Sequence, residues 1–317
     1  MPQTAVVRQY YSMSEYLLTT EGLTKQYGMH KAVNSISMHI PSHSIYGFIG
    51  KNGAGKTTTL KMLAGLSSPS SGKIEMFGKT GSELNAFRKH IGCAIESPGI
   101  YPNLTAYDNI KAKCLVSGVF TKKHCNDLLE LVGLENTGKK TAGKFSLGMK
   151  QRLGIALALV GNPDLVMLDE PINGLDPQGI SDVRNMLTRL NVEKGITIII
   201  SSHILEELSK VATNYGIIDN GSLILECDNE YLSHVCSERV ELVTPNVSEA
   251  LPVLDSMGIT QYSVIGNNTI SIPGYTNDTV RINRSLVEAG IPVVQLIIKS
   301  ENLESFFLSL TGGVHHD

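Results

Sequence analysis

The sequence predicts an α/β fold with a buried parallel sheet, followed by a small α+β domain. One observation is "IYGFIGKNGAGKTTTLKMLAG" (45–65), in which an apolar β-rich run precedes a glycine loop and a helical pattern. A second is "PDLVMLDEP" (163–171), an apolar strand that ends in two acids. A third is the pattern after residue 240, which reads βαββαβα. Together they indicate a large domain built on a sheet, followed in the sequence by a smaller domain.

Composition limits the classes of protein that the chain can represent. The 317 residues carry 27 basic and 30 acidic side chains, and a formal charge of −3 gives no sign of nucleic-acid binding. The longest apolar runs, "IALALV" (155–160) and "ITIII" (196–200), are far shorter than the ~20 residues of a membrane span. The cysteines are scattered without a CxxC pair, which is typical of reduced thiols in the cytosol. Residues 1–14 read as an extension.

The glycine loop has the spacing and the strand and helix context of a P-loop. Glycines allow backbone N–H groups to turn inward around a phosphate, while Lys56 reaches the β and γ oxygens and Thr57 offers its hydroxyl to Mg²⁺. By itself the loop leaves kinase, GTPase and motor ATPase open. The predicted nucleotide-binding residues of this segment are Gly50, Lys51, Asn52, Gly53, Ala54, Gly55, Lys56, Thr57 and Thr58.

The second phosphate-handling segment is the acidic end of the 163–171 strand. Ligands of α/β sheets bind at the carboxyl ends of the strands, where Asp169 and Glu170 lie. We expect Asp169 to hold Mg²⁺ and Glu170 to accept a proton from water that attacks the γ-phosphate. The alternative is a solvated strand end with two acids.

A turn, a helix and another apolar strand follow. "INGLDP" (172–177) precedes an amphipathic helix, and "ITIIISSH" (196–203) ends in His203. If this strand lies beside the Asp169 strand, His203 reaches the γ-phosphate or the attacking water. Otherwise His203 has an ordinary structural role at a strand end.

A further helix begins with a small polar tip in "FSLGMKQRL" (145–153). Ser146 is a candidate N-cap before a helix that continues through "GIALALV". Because a helix N-terminus has unsatisfied N–H groups and partial positive charge, such a tip can bind a phosphate.

In this order, the motifs resemble those of the ATP-binding cassette (ABC) ATPases. The resemblance covers residues from about 15 to 235 and rests on "GKNGAGKTT", "FSLGMKQR", "LVMLDEP", "NGLDP" and the strand that ends in His203. It implies a P-loop ABC ATPase core with an antiparallel β subdomain and a helical signature subdomain at about 100–160. It also implies that the chain binds ATP and Mg²⁺ and hydrolyses ATP.

The resemblance assigns further nucleotide contacts. Ser146 and Gly148 are expected to bind the γ-phosphate of ATP held by another subunit, although Leu147 and Met149 replace the usual glycine and glutamine. Tyr27, in "TKQYGMHKAV", would stack on adenine with Val33 nearby. A half-buried strand-end tyrosine is the alternative for that position.

Glu96 is a departure from the family pattern. ABC proteins usually have glutamine in the loop within "IGCAIESPGIYPNLT" (91–105), where it touches Mg²⁺ or the attacking water and senses the membrane partner. Ionised glutamate only accepts hydrogen bonds and adds negative charge beside the triphosphate. Glutamate here resembles the subgroup that exports bacitracin- or lantibiotic-like peptides. We therefore expect Glu96 to act as a catalytic and metal-binding residue.

The C-terminal segment 240–313 lacks a catalytic constellation. Its βαββαβα order predicts a split-βαβ, ferredoxin-like module, with Gly266-Asn267-Asn268 in a hairpin. Residues 314–317 read as a tail, whose histidines lack metal-ligand spacing.

The resemblance implies the cytoplasmic ATPase subunit of an ABC exporter, peripheral to the inner face of the membrane. Its partners would be a second ATPase subunit, most simply another copy, and separate transmembrane permease chains. The rival interpretation is an ABC-type ATPase that acts on translation or DNA without a permease. Such proteins usually carry two cassettes or a long coiled coil, whereas this chain has one P-loop and no extended heptad pattern.

Overall fold

The chain forms two compact units, each with its own hydrophobic core. The computed structural model describes residues 16–96, 99–236, 238–299 and 303–311. The first unit runs to Asn229 and the second begins at Glu230. The predicted extension 1–14 and tail 314–317 lie outside the described residues. Within the described residues, no helix has the length and apolarity to cross a membrane.

The first unit combines a six-stranded sheet, an antiparallel sheet and a group of helices. Its strands are β1 (Tyr16–Tyr27), β2 (His30–Ile36), β3 (His39–Pro41), β4 (Ile45–Ile49), β5 (Ser71–Met76), β6 (Lys79–Thr80), β7 (Ile91–Ala94), β8 (Leu165–Asp169), β9 (Thr197–Ser202), β10 (Asn214–Asp219) and β11 (Ser222–Asp228). Its helices are α1 (Lys56–Leu63), α2 (Leu84–Phe87), α3 (Ala106–Val116), α4 (Lys122–Leu131), α5 (Leu147–Leu159), α6 (Pro177–Lys194) and α7 (Leu205–Leu208). The helix α8 (Asn229–Val235) begins at the boundary between the units.

The six-stranded sheet has the order β11-β10-β4-β9-β8-β7, and all its pairs are parallel except β10–β11. The strands β4, β8 and β9 are almost wholly buried, which explains their continuous apolar sequences. Since these strands are parallel, their carboxyl ends meet at one edge. The P-loop and the acidic residues at the end of β8, Asp169 and Glu170, both lie at this edge.

The antiparallel sheet has the order β2-β1-β5-β6, with β3 paired to β1. Its buried Leu18 and Met76 join the same core cluster as Phe48 of β4, Leu60 of α1 and Met167 of β8. This packing holds α1, and the P-loop before it, between the two sheets.

The helical segment 106–159 contains α3, α4 and α5. Thr105 and Thr121 cap α3 and α4 through side-chain oxygens that accept backbone N–H groups in the first turn. Ser146 caps α5 in the same way, by accepting from the N–H of Met149. Each helix therefore begins where its cap residue stands in the sequence.

The second unit is an antiparallel sheet with helices. Its core is formed by Val240 and Leu242 of the first strand together with helix residues such as Leu254 and Leu286. The elements are β12 (Arg239–Val243), α9 (Val247–Ser256), β13 (Ser263–Ile265), β14 (Thr269–Pro273), α10 (Thr279–Glu288), β15 (Gln295–Lys299) and α11 (Leu303–Leu310). The strand order is β13-β14-β12-β15, and every pair is antiparallel. This βαββαβ arrangement is that of a split βαβ unit.

Candidate nucleotide-binding and hydrolysis site

The P-loop joins the end of β4 to the start of α1. Gly55 has φ 109°, and a Cβ added there would lie 2.5 Å from the carbonyl oxygen of Ala32. A Cβ on Gly50 would lie 2.5 Å from the carbonyl oxygen of Ile218. Both positions therefore require glycine, one for its left-handed conformation and both for the close approach of another backbone. Glycine is therefore needed at Gly50 and Gly55 for the backbone geometry of the loop, in addition to any role in phosphate binding.

Lys56 is the best-enclosed charged group of the loop. Its side chain is 6% exposed, and Nζ donates to the carbonyl oxygens of Gly50 at 2.6 Å and Lys51 at 3.3 Å. Nζ also lies 3.2 Å from Oε1 of Glu170. The ammonium thus joins the P-loop to the residue after β8.

The other predicted loop residues differ in exposure. Lys51, Asn52 and Gly53 are exposed, whereas Ala54 is buried and Thr58 is half-buried. Gly53 has φ 82°, which keeps the loop in a left-handed turn. The exposed side of the loop therefore leaves backbone groups open to a ligand.

Thr57 and Asp169 form the candidate metal-binding pair. The Thr57 hydroxyl donates to Oδ2 of Asp169 at 2.8 Å. Ser201 of β9, which lies opposite Asp169 in the sheet register, donates to Oδ1 at 2.5 Å. A hydroxyl and a carboxylate are hard oxygen ligands of the kind that Mg²⁺ prefers, so these side chains fit that ion. Ser201 was not among the residues predicted from the sequence, although its place two residues before His203 was the available signal.

Glu170 and His203 lie side by side at the ends of neighbouring strands. The Nδ1 atom of His203 is 2.9 Å from Oε2 of Glu170, and the Glu170 N–H donates to the Ser201 hydroxyl at 3.0 Å. Glu170 has φ 50°, so the chain turns sharply after β8. Its buried Oε1 is paired with the Lys56 ammonium at 3.2 Å, and no other described group donates to it. Glu170 therefore has an acceptor oxygen at the same edge as the P-loop lysine.

Glu96 is paired with a lysine of α1. Its carboxylate is 61% exposed and lies 2.5 Å from Nζ of Lys61, in the last turn of α1. Among the described contacts, no hydrogen bond joins Glu96 to Thr57 or Asp169. The structure therefore pairs Glu96 with a cation on α1, and its catalytic and metal-binding role stays a prediction. Lys61 was not among the residues predicted from the sequence, although it lies four residues after Thr57.

The predicted adenine contacts lie on the antiparallel sheet. Tyr27 ends β1 and is 52% exposed, with Nζ of Lys25 5.1 Å from the centre of its ring. Val33 is fully buried and would lie 3.4 Å from a Cβ on Gly55. Val33 thus supports the P-loop from below, while the Tyr27 ring faces solvent.

The signature tip lies in a cavity of its own. Ser146 and Gly148 line a cavity of about 380 Å³ together with Arg152 and the segment 174–182. Leu147 contacts this segment, since a Cβ on Gly174 would lie 3.0 Å from its Cδ2. None of the lining residues comes from the P-loop. Within the described part of one chain, the signature tip and the P-loop are therefore separate halves of the predicted site.

Comparisons with known proteins agree with this architecture. The family model described as ABC transporter matches residues 33–173. The bacitracin transport ATP-binding protein BcrA of Bacillus licheniformis is 40% identical over 303 residues, which cover 95% of this chain and 99% of the relative. The lantibiotic transport ATP-binding protein SrtF of Streptococcus pyogenes is 45% identical over 210 residues, covering 66% of this chain and 90% of the relative.

The fold has a counterpart among solved structures. The cbiO1 protein of Clostridium perfringens, part of the ABC transporter complex cbiONQ, is 28% identical with a TM-score of 0.62. The match covers 69% of this chain and 90% of that protein. The resemblance and the ABC ATPase fold predicted from the motifs are confirmed. The chain therefore belongs to the family of ABC transporter ATP-binding proteins and is an ABC ATPase.

Proposed function

We propose that this chain is the ATP-hydrolysing subunit of an exporter that protects a bacterium against bacitracin- or lantibiotic-like peptides. The observation that carries the cargo class is the 40% identity to a bacitracin transport ATP-binding protein along 95% of this chain. That match extends through the C-terminal unit, which the family model at 33–173 does not reach. Glu96, which sequence analysis associates with the same subgroup, supports this assignment.

Hydrolysis would take place at the carboxyl edge of the six-stranded sheet. Backbone N–H groups of the P-loop would surround the phosphates, and Lys56 would exchange the carbonyl oxygens of Gly50 and Lys51 for phosphate oxygens. Thr57 and Asp169 would hold Mg²⁺, which neutralises charge on the phosphates when bound. Tyr27 would stack on adenine, beside Val33.

Glu170 would act as the general base. Its Oε1 is paired with the Lys56 ammonium at 3.2 Å, and it would take a proton from a water that attacks the γ-phosphate once Lys56 binds phosphate oxygens instead. His203, 2.9 Å from the other carboxylate oxygen, would keep this side chain in place and reach a phosphate oxygen. Glu170 would thus accept the proton, and His203 would orient the Glu170 side chain.

The separation of the signature tip from the P-loop supports a dimer as the working unit. Ser146 and Gly148 line a cavity without P-loop residues, so the phosphate that they bind would belong to a second subunit. Two copies related by a two-fold axis would complete two sites. Permease chains would supply the membrane-spanning part and hold this subunit at the inner face of the membrane.

The rival function is an ABC-type ATPase that acts on translation or DNA without a permease. Affinity purification of the tagged chain from cells separates the two functions. We expect transmembrane permease chains to co-purify in mild detergent, whereas ribosomes or DNA in their place would favour the rival.

Resistance assays test the cargo. A sensitive strain that expresses this chain with its permease should survive more bacitracin or lantibiotic, and Glu170→Gln should remove the gain because proton acceptance is lost. Glu96→Gln should lower resistance. It should leave ATP affinity unchanged or slightly higher, because the substitution removes a negative charge near the triphosphate. A gain confined to unrelated antibiotics would contradict the peptide cargo.

A further inference from the structure

The helix α1 contacts carboxylates on two neighbouring strand ends of the six-stranded sheet. Two of these contacts join the P-loop end of the helix to the residues at the end of β8, and both belong to the proposed hydrolysis site. The third lies one turn further along the helix and reaches the loop after β7. The contacts are Lys56 with Glu170 at 3.2 Å, Thr57 with Asp169 at 2.8 Å and Lys61 with Glu96 at 2.5 Å.

The sheet register places Glu96 beside the hydrolysis site. Ala94 of β7 lies opposite Leu168 of the parallel strand β8. Two residues beyond this pair are Glu96 and Glu170, which have φ 62° and 50°. Left-handed conformations are uncommon for residues other than glycine, and two at adjacent strand ends mark a constrained edge. Glu96 is therefore a second acidic residue at the level of the proposed general base.

Lys61 lies on the same face of α1 as Thr57. Residues four apart on a helix are neighbours on its surface, and four residues advance the helix by about 6 Å. The Lys61 backbone thus lies about one turn along α1 from Thr57, on the same side of the helix. The Lys61 ammonium contacts the Glu96 carboxylate, while Thr57 contacts Asp169.

We infer that Lys61 is a positioning residue that holds and neutralises the Glu96 carboxylate one helical turn from the phosphate and metal site. An ionised carboxylate beside a triphosphate weakens nucleotide binding by repulsion, and an adjacent ammonium cancels most of that field. Lys61 thereby permits glutamate at a position where the related ATPases usually have glutamine. This inference rests on the proposed location of the ATP site.

A double-mutant cycle in the full-length chain tests the inference. The four proteins are the original chain, Lys61→Met, Glu96→Gln and the double variant, and calorimetry measures the Kd of ATP with and without Mg²⁺. Because the pair is partly exposed, we expect Lys61→Met to raise this Kd about two- to fivefold when Glu96 is present. In the Glu96→Gln background the same substitution should change Kd by less than about 1.5-fold.

Further variants separate positioning from other effects of the lysine. Lys61→Arg keeps the charge and should retain the original Kd. Lys73→Met removes a lysine of the exposed Lys73–Glu21 pair on the antiparallel sheet, and it should leave Kd unchanged as a matched control. A loss of helix stability would lower the melting temperature equally in both Glu96 backgrounds, without coupling in Kd.

The outcomes also separate this inference from the proposed function. An equal rise in Kd in both backgrounds would show that Lys61 acts on ATP directly, and no rise in either would show that Glu96 needs no neutralisation. Either result overturns the inference while ATP binding and hydrolysis by the original chain still support the function. Absence of ATP binding by the original chain would overturn both.

Discussion

The P-loop edge and the signature tip differ in how many of their functional groups find partners within one chain. At the P-loop edge, Lys56 contacts carbonyl oxygens of the loop and Glu170, the residue after β8. Asp169, the last residue of β8, accepts from Thr57 of α1 and Ser201 of β9. At the signature tip, Ser146 caps its own helix, and Gly148 lines a cavity that no P-loop residue enters. One chain therefore brings together the residues proposed for metal binding and proton transfer, while its signature tip lies in a cavity apart from its own P-loop.

The largest effect should come from the proposed general base at the P-loop edge. Glu170→Gln keeps the shape of the side chain but removes the proton acceptor, so ATP turnover should fall by about 10²- to 10⁴-fold. ATP should still bind, because the contacts of Lys56 and Thr57 with phosphate and metal do not need the Glu170 carboxylate. Steady-state ATPase assays and equilibrium binding measure the two properties. Turnover near the original rate would show that Glu170 is not the base.

Mixing two inactive variants tests whether the signature tip serves a second chain. A dimer of Ser146→Arg with Lys56→Ala combines the intact P-loop of the first chain with the intact signature of the second. One composite site is then whole and the other has lost both halves, so each mixed dimer should recover up to about half of the original rate. Each variant alone should stay inactive.

The mixed dimer has a second readout in case turnover needs two sites. It should then bind one ATP tightly, whereas neither homodimer does. If mixing restores neither hydrolysis nor tight binding, the signature tip does not complete the partner's site. The separation of the signature tip from the P-loop would then not be explained by an ATP site shared between two chains.

Ser201 tests whether the P-loop edge depends on groups that sequence analysis missed. Its hydroxyl donates to the Asp169 oxygen that Thr57 leaves free, and such supporting hydrogen bonds typically contribute about 10- to 100-fold to metal affinity or activity. Ser201→Ala should raise the Mg²⁺ concentration for half-maximal ATPase activity by that factor. Ser202→Ala is the matched control, because its hydroxyl accepts from the N–H of Ile204 instead.

The sequence predicted local elements well because their signals are local. The apolar run of β8 predicted a buried strand, and Ser146 predicted the start of α5 through capping. Ser201 and Lys61 were missed because their roles arise from the side-by-side register of strands and from the packing of α1 across them.

The smallest expected effect concerns Leu147, where this chain departs from the usual glycine of the signature. Its side chain is 49% exposed and contacts the segment at Gly174, so about half of a leucine side chain is buried there. Truncation of Leu147 should therefore weaken the packing of the signature tip against this segment by about 1 kcal/mol. This corresponds to a loss of at most about fivefold in dimer ATPase activity. Leu147→Ala removes the contact, and Leu147→Gly also adds backbone freedom at the start of α5, so the glycine variant should lose slightly more. The Kd of ATP for the isolated chain should not change in either variant, because Leu147 lines a cavity that includes no P-loop residue. A change in this Kd would show that the tip and the P-loop are coupled within one chain, and the contrast between the two regions would then be smaller than their separation indicates.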